Sequence, residues 1–257
     1  MELFGWVLFV FSLGVLGYAS LQDVRCRQVS NWVWVIGYPI GSIITLAALA
    51  AEPLRAQVVC LSLGFAVGLG LVLFCLGFYG GADVKALIFV GLAAPLLPLS
   101  GNVGLGFLDL PLVLVVFCYA SLLSLVWPLA IFILNLKDAL RRHNMFGGIK
   151  LSVRKKVWLL FTARKVPLEK LKSLRYFPAE RVVFQEGEPA RMVVHFVKAE
   201  TDLEKYFTNL EKYKNLYQKG ILASPTIPTI VFLTLAMASL PLLLLNLVFL
   251  GANTLFF

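Results

Sequence analysis

The chain has 257 residues, of which 60% are hydrophobic and only 14% charged, with a mean hydropathy of +0.86. Soluble domains are roughly 45–50% apolar, so this composition excludes an ordinary soluble enzyme and points to a polytopic membrane protein. The net charge of +9 says less by its size than by its distribution along the chain.

Six stretches are long and apolar enough to cross a bilayer, which takes about 20 residues. They are 3–22, 32–51, 57–79, 84–99, 110–134 and 226–250. The first reads as one span of several, not as a cleaved signal peptide. The expected fold class is therefore an all-α polytopic membrane protein: six transmembrane helices, with a small mixed α/β cytosolic insert between helices five and six. The domain reading follows: 1–136 forms a membrane domain with spans one to five, 137–222 the basic insert, and 223–257 the last transmembrane helix. The fourth stretch is short, and Pro95 and Pro98 predict an irregular far end. Gly37-x-x-x-Gly41 and Gly64-x-x-x-Gly68 are small-residue spacings that let helices approach, and are expected to pack spans two and three.

Residues 137–222 hold 19 of the 23 Lys and Arg, against 9 of the 14 Asp and Glu. Basic loops stay cytoplasmic. Six spans then put the amino terminus outside, and place 23–31, 80–84 and 137–222 on the cytoplasmic side. Within the insert, 137–165 mixes Arg and Lys with Trp158, Leu159, Leu160 and Phe161. It reads as an amphipathic stretch held to an anionic inner membrane face. "RVVFQ" (181–185) and "RMVVHFV" (191–197) flank a Glu-Gly-Glu-Pro turn and predict a hairpin. Thr201-x-x-Glu204 is a capping-box pattern opening a helix over 202–219. No nucleic-acid motif accompanies the basic residues. His143 and His195 stand alone, so no metal site is expected. Cys26, Cys60, Cys75 and Cys118 form no CxxC pair. They read as free thiols, buried or reduced.

Two carboxylates sit at span ends: Asp23, in "YASLQDVRCRQVSNWVW", closes span one, and Asp83, in "GFYGGADVKALIFVGLA", opens span four. Spans two and three lie between them, so both face the same compartment whichever way the protein inserts. Two aspartates brought close cannot both ionise easily, and one keeps its proton. Such a pair can activate a water and protonate the leaving amine of a peptide. The plainer alternative is that each carboxylate caps a helix. Asp83 suits that role at a helix N-terminus, whereas Asp23 meets the wrong end of the dipole. Gly80 and Gly81 offer room for a close backbone or a sharp turn, and with Ala82 form the expected approach for an extended peptide. Lys85, Arg25 and Asn31 are candidate supporting residues. At two residues' spacing on a helix, Lys85 and Asp83 diverge, so the lysine is expected to snorkel to the interface. Arg25 and Arg27 read as topology anchors.

"GGADVKALIFVGLA" resembles the GxGD motif of the type IV prepilin peptidases and the archaeal preflagellin peptidases. "DVRCRQVSNW" resembles their first-aspartate segment, with Asp23, Arg25 and Asn31 at the matching positions. "SPTIPTIVFLTLA" (224–236) is similar to the proline-containing entry into the last span of archaeal members. The resemblance implies a membrane aspartic endopeptidase with Asp23 and Asp83 as its catalytic pair. It also implies removal of short basic class III leaders from flagellin-like or pilin-like precursors at the cytoplasmic face, without cofactor. Ala82 stands where the motif has glycine, a departure that favours the archaeal branch. The paired cysteines and amino-terminal cytoplasmic domain of bifunctional bacterial members are missing, so no methyltransferase activity is expected.

Two other functions use the same aspartates. An intramembrane protease of the presenilin or signal-peptide-peptidase type shares GxGD, but Gln22, not tyrosine, precedes Asp23. An ion or proton transporter would also place carboxylates at membrane depth, although no inverted repeat or pair of broken helices is evident.

Overall fold

In a bilayer every backbone N–H and C=O must be satisfied within its own segment, so long apolar runs become helices. The computed structural model describes residues 2–96, 112–141, 146, 151–171, 176–185, 188–193, 212 and 220–254. The chain divides into two compact units, 1–124 with 228–257, and 125–227.

The first unit contains α1 (Glu2–Cys26), α2 (Asn31–Ala51), α3 (Ala56–Cys75), α4 (Gly81–Ala93), α5 (Leu112–Ser124) and a last helix, α9 (Thr229–Thr254). Among the described residues, four helical stretches are long and apolar enough to cross a membrane: Leu3–Cys26, Asn31–Ala51, Ala56–Cys75 and Leu112–Leu140. The molecule is thus a mostly helical membrane protein with a small sheet. The expected fourth span is described over residues 81–96. Its α-helix has 13 residues, too short at 1.5 Å per residue for a hydrocarbon core of about 30 Å. It passes into a single 3₁₀ turn at Ala94–Leu96, where Pro95 cannot donate to a continuing α-helical ladder. Pro98 lies outside the described residues.

What α4 lacks in length it makes up in burial. It packs against α1, α2, α3, α5 and α9. Val84, Ala86, Leu87, Phe89, Val90, Gly91, Leu92 and Ala93 are all buried. A helix apolar on every side belongs in an interior, and here that interior is a ring of other helices. Phe89 lies at its heart, with edge-on contacts to Tyr38 (ring centroids 5.5 Å apart), Trp34 (6.3 Å) and Phe11 (6.4 Å).

The small-residue spacings divide unevenly. Gly37 and Gly41 of α2 admit Phe89, since a Cβ on Gly41 would stand 3.2 Å from that ring. Gly64 and Gly68 do not pack α3, because a Cβ at either would meet nothing within 4 Å. The close approach of α3 to α4 lies instead at Gly91, where an added Cβ would come within 2.6 Å of the Ala66 methyl. The four cysteines are free thiols, as expected, but all four are exposed on the helix surfaces and none is buried.

The second unit contains α6 (Val126–Leu140), α7 (Val153–Thr162), β1 (Arg164–Val166), a single turn α8 (Leu168–Leu171), β2 (Tyr176–Pro178), β3 (Glu180–Gln185), β4 (Glu188–Val193) and β5 (Ile221–Pro225). The buried Asn135 amide of α6 donates to the carbonyls of Leu160 and Ala163 at 2.8 and 2.7 Å. Those are carbonyls at the end of α7, which have no partner within their own helix. Phe132 stacks on Phe161 at 4.6 Å. α7 lies within the expected amphipathic stretch: Leu159 is buried while Val153, Val157 and Trp158 are exposed. Strand β5 pairs antiparallel with both β1 and β2. The hairpin forms as expected, but its turn is shorter. Glu188 and Pro189 belong to β4, paired with Gln185 and Phe184. Residues 202–211, 213–219, His143 and His195 lie outside the described residues.

Candidate active site

Asp23 lies in the last turn of α1. The helix closes on Arg27, which has a left-handed φ of 55° and donates its N–H to the Asp23 carbonyl at 2.9 Å. This is the αL form of C-cap, which glycine usually fills. Arg27 fills it here and brings a positive charge close enough to act on the Asp23 carboxylate. Arg25, in the same turn, is exposed. The connection to α2 is short. Ser30 caps α2 by accepting the Trp32 N–H at 3.4 Å, and the Ser30 N–H donates to Gln22 Oε1 at 2.8 Å.

The approach to Asp83 is set by the end of α3. Phe78 N–H reaches the Leu73 carbonyl and Gly77 N–H reaches that of Phe74, both at 2.9 Å. This is a Schellman motif, and its left-handed residue is Gly77, at φ +75°. Gly80 and Gly81 are therefore not the turning residues. Gly80 is extended, with φ −80°. At Gly81 a Cβ would meet nothing within 4 Å, so the space beside it is open. Ala82 packs partly against the membrane core.

Asp83 is the third residue of α4, and its Oδ2 accepts the Gly80 N–H at 3.0 Å. The capping role foreseen for this side chain is thus present. It engages one carboxylate oxygen. Asp83 lies outside the four long apolar helices. Burial pushes its carboxyl up from the ordinary carboxylate range, to about 6. The Gly80 N–H opposes that rise, and the negative charge of Asp23 adds to it. The two carboxylates are far apart in sequence and near enough in space to feel each other. Tyr79 is likewise near enough to Asp83 for the carboxylate's charge to act on its phenol. Its ring packs edge-on to Phe117, 6.3 Å away.

Lys85 does not end free at an interface. Its ammonium donates to Asn31 Oδ1 at 2.8 Å, and its backbone carbonyl accepts the Tyr38 hydroxyl at 2.7 Å. The two supporting candidates Lys85 and Asn31 are therefore partners of each other. Tyr38, Tyr79 and Gln22 were not singled out from the sequence. Tyr38 could have been found from its place two turns after Asn31 on one face of α2, and Gln22 from its place beside Asp23. Among the described residues, no group of three or more His, Cys, Asp and Glu could hold a metal ion.

What the arrangement offers is a half-buried carboxylate with a raised affinity for its proton, a second carboxylate within electrostatic reach, and open space beside Gly81. Comparison with known proteins bears on the same segment. Residues 10–129, which include both aspartates, match the model of the type IV leader peptidase family. Over 251 residues the chain is 24% identical to a preflagellin peptidase of Methanococcus voltae, covering 92% of this chain and 95% of that protein. A preflagellin peptidase of Methanococcus maripaludis is 24% identical over 253 residues, covering 91% of this chain and 94% of that protein.

Proposed function

We propose, from the match of residues 10–129 and the two preflagellin peptidase relatives, that the chain is a member of the type IV leader peptidase family and a membrane-embedded aspartic endopeptidase. Its substrates are preflagellin or pilin-like precursors, from which it removes a short basic leader at the cytoplasmic face. The observation that carries this reading is the match of residues 10–129, which hold both Asp23 and Asp83, to the leader peptidase family; the Asp23 charge acting on Asp83 supports their coupling.

The chemistry follows from that coupling. One carboxylate of the pair is ionised and takes a proton from a water as it attacks the scissile carbonyl. The other is protonated and donates to the carbonyl oxygen, so that no full negative charge forms there. Collapse of the tetrahedral intermediate passes a proton to the leaving amine and restores the pair. The two groups titrate as a unit, so the proton belongs to the pair. The sequential crossing of α2 and α3 returns the chain to the side on which α1 ended. The basic residues of 137–222 favour the cytoplasm for that side. Anionic lipid then holds the insert, through the exposed Trp158 and neighbouring basic residues of α7.

The test is co-expression with candidate precursors and mass spectrometry of the mature amino terminus. Asp23→Asn and Asp83→Asn should each leave the leader in place. Wild-type cleavage by either variant, correctly inserted, would sink the aspartate mechanism. A cut inside the precursor's apolar helix, and not just before it, would instead favour an intramembrane protease.

A further inference from the structure

α4 is held mainly by apolar contacts, and these are not directional. The seats of Phe89 on Gly41 and of Ala66 on Gly91 set where the second half of α4 lies, and the finer placement of the turn that carries Asp83 is left to directional contacts. Hydrogen bonds fix what dispersion leaves free, because they weaken steeply with distance and angle. The first half of α4 has two such bonds to α2, both at one residue. Tyr38 donates to the Lys85 carbonyl, which lies on the helix backbone and so fixes its axial position. Asn31 accepts from the Lys85 ammonium, at the tip of the side chain, which restrains the roll. Asn31 and Tyr38 are two turns apart and share a face of α2. Lys85 in turn is two residues beyond Asp83, on the same rigid turn.

The other aspartate is referred to the same place. Gln22, its immediate neighbour, accepts the Ser30 N–H beside Asn31. The first turn of α2 thus touches both helix ends that carry the carboxylates.

We propose that Asn31 and Tyr38 are positioning residues of the peptidase, which grip Lys85 at its ammonium and its carbonyl and thereby set Asp83 opposite Asp23. The inference rests on the aspartic peptidase reading above. Neither residue touches substrate; each acts through Lys85.

The experiment uses the full chain in membranes with a preflagellin-type precursor. Asn31→Leu removes the acceptor at similar volume, Asn31→Asp keeps it, and Tyr38→Phe removes only the hydroxyl from a ring still packed on Phe89. Misplacing a catalytic group by a fraction of an ångström costs on the order of tenfold or more in rate. Asn31→Leu should lower kcat about tenfold with KM changed less than about twofold, and Tyr38→Phe should lower kcat by a smaller factor. Asn31→Asp should recover most of the loss. Lys85→Met should match Asn31→Leu, and the double variant should be no slower than either. Wild-type turnover by Asn31→Leu, failure of Asn31→Asp to rescue, or multiplicative losses in the double variant would each overturn the proposal.

A readout independent of catalysis separates this from failure of the peptidase reading. Spin labels at Cys26 and at Gly81→Cys on α4, where a Cβ would meet nothing within 4 Å, with Cys60, Cys75 and Cys118 replaced by serine, report the separation of the two aspartate-bearing ends. Asn31→Leu should broaden that distance distribution, and an unchanged distribution would overturn the proposal. Asp23→Asn and Asp83→Asn, run on the same precursor, judge the aspartate mechanism alone.

Discussion

The two aspartates end neighbouring helices of opposite sense, and their surroundings differ accordingly. Asp83 sits in the first turn of α4, where the helix dipole and the Gly80 N–H both favour a negative charge. Asp23 sits in the last turn of α1, where exposed carbonyls disfavour one, and its help comes from Arg27 in a strained left-handed conformation. Burial nevertheless prevails at Asp83 and raises its proton affinity. One carboxylate is supported by backbone geometry and the other by a neighbouring charge, an asymmetry that fits the different roles the proposed mechanism gives them.

The largest expected effect tests whether both are needed. Asp23→Asn and Asp83→Asn should each reduce leader cleavage by a factor on the order of 10² to 10⁴, the usual contribution of a positioned acid or base. Quantitative mass spectrometry of the precursor measures it, and a large loss in one variant only would break the pairing. Next in size is the support of Asp83. Gly80→Pro keeps a compatible φ but removes the N–H that Asp83 accepts. Cleavage should fall about tenfold, since hydrogen bonds to charged groups are worth about 1.5–3 kcal/mol. An unaltered initial rate would show that the cap is dispensable.

The pH dependence of stability sharpens the comparison further. The folded-state pKa of Asp83 is raised, so folding favours its protonated form. That contribution is fully present below the ordinary carboxylate pKa and is lost as pH rises through about 6. Asp83→Asn abolishes the titration while retaining an acceptor for Gly80. The variant should therefore melt higher than wild type at about pH 8, with the difference closing by about pH 4. Thermal melts in one detergent across that range would check this, and a constant difference would contradict it. The smallest effect belongs to Arg27. Arg27→Gly relieves a left-handed backbone, worth about 1 kcal/mol, yet removes the cation beside Asp23. A small gain in melting temperature with a several-fold loss of cleavage is expected, and Arg27→Lys should keep more of the activity.

Much of this site was legible in the sequence. A carboxylate in an apolar run has few bland explanations, and counting two crossings between Asp23 and Asp83 placed both on one side. The pattern around Asp83 also carried its capping role. Three things were not legible, each for a physical reason. Lys85 was expected to snorkel, because spacing along its own helix says nothing about an acceptor supplied by α2. Gly64 and Gly68 had the right spacing for helix contact, but spacing does not say which face meets a neighbour, and the contact fell at Gly91 and Ala66. Gly80 and Gly81 suggest either room for a close backbone or a sharp turn; the space beside Gly81 is open, while the turning residue with positive φ is Gly77, because glycine content does not say which of neighbouring glycines takes the left-handed conformation.

The sequence by itself determined the apolar solvent and the positions of the four long apolar helices, and it singled out two carboxylates as candidates, since these follow from hydropathy and from charge in apolar runs. Tertiary structure alone decided that α4 is buried among other helices. Composition cannot distinguish a face turned to lipid from one turned to Phe11, Trp34 and Tyr38, because both are apolar. It also decided the hydrogen bonds of Lys85, which join residues remote in the chain and exist only once α2 and α4 are side by side.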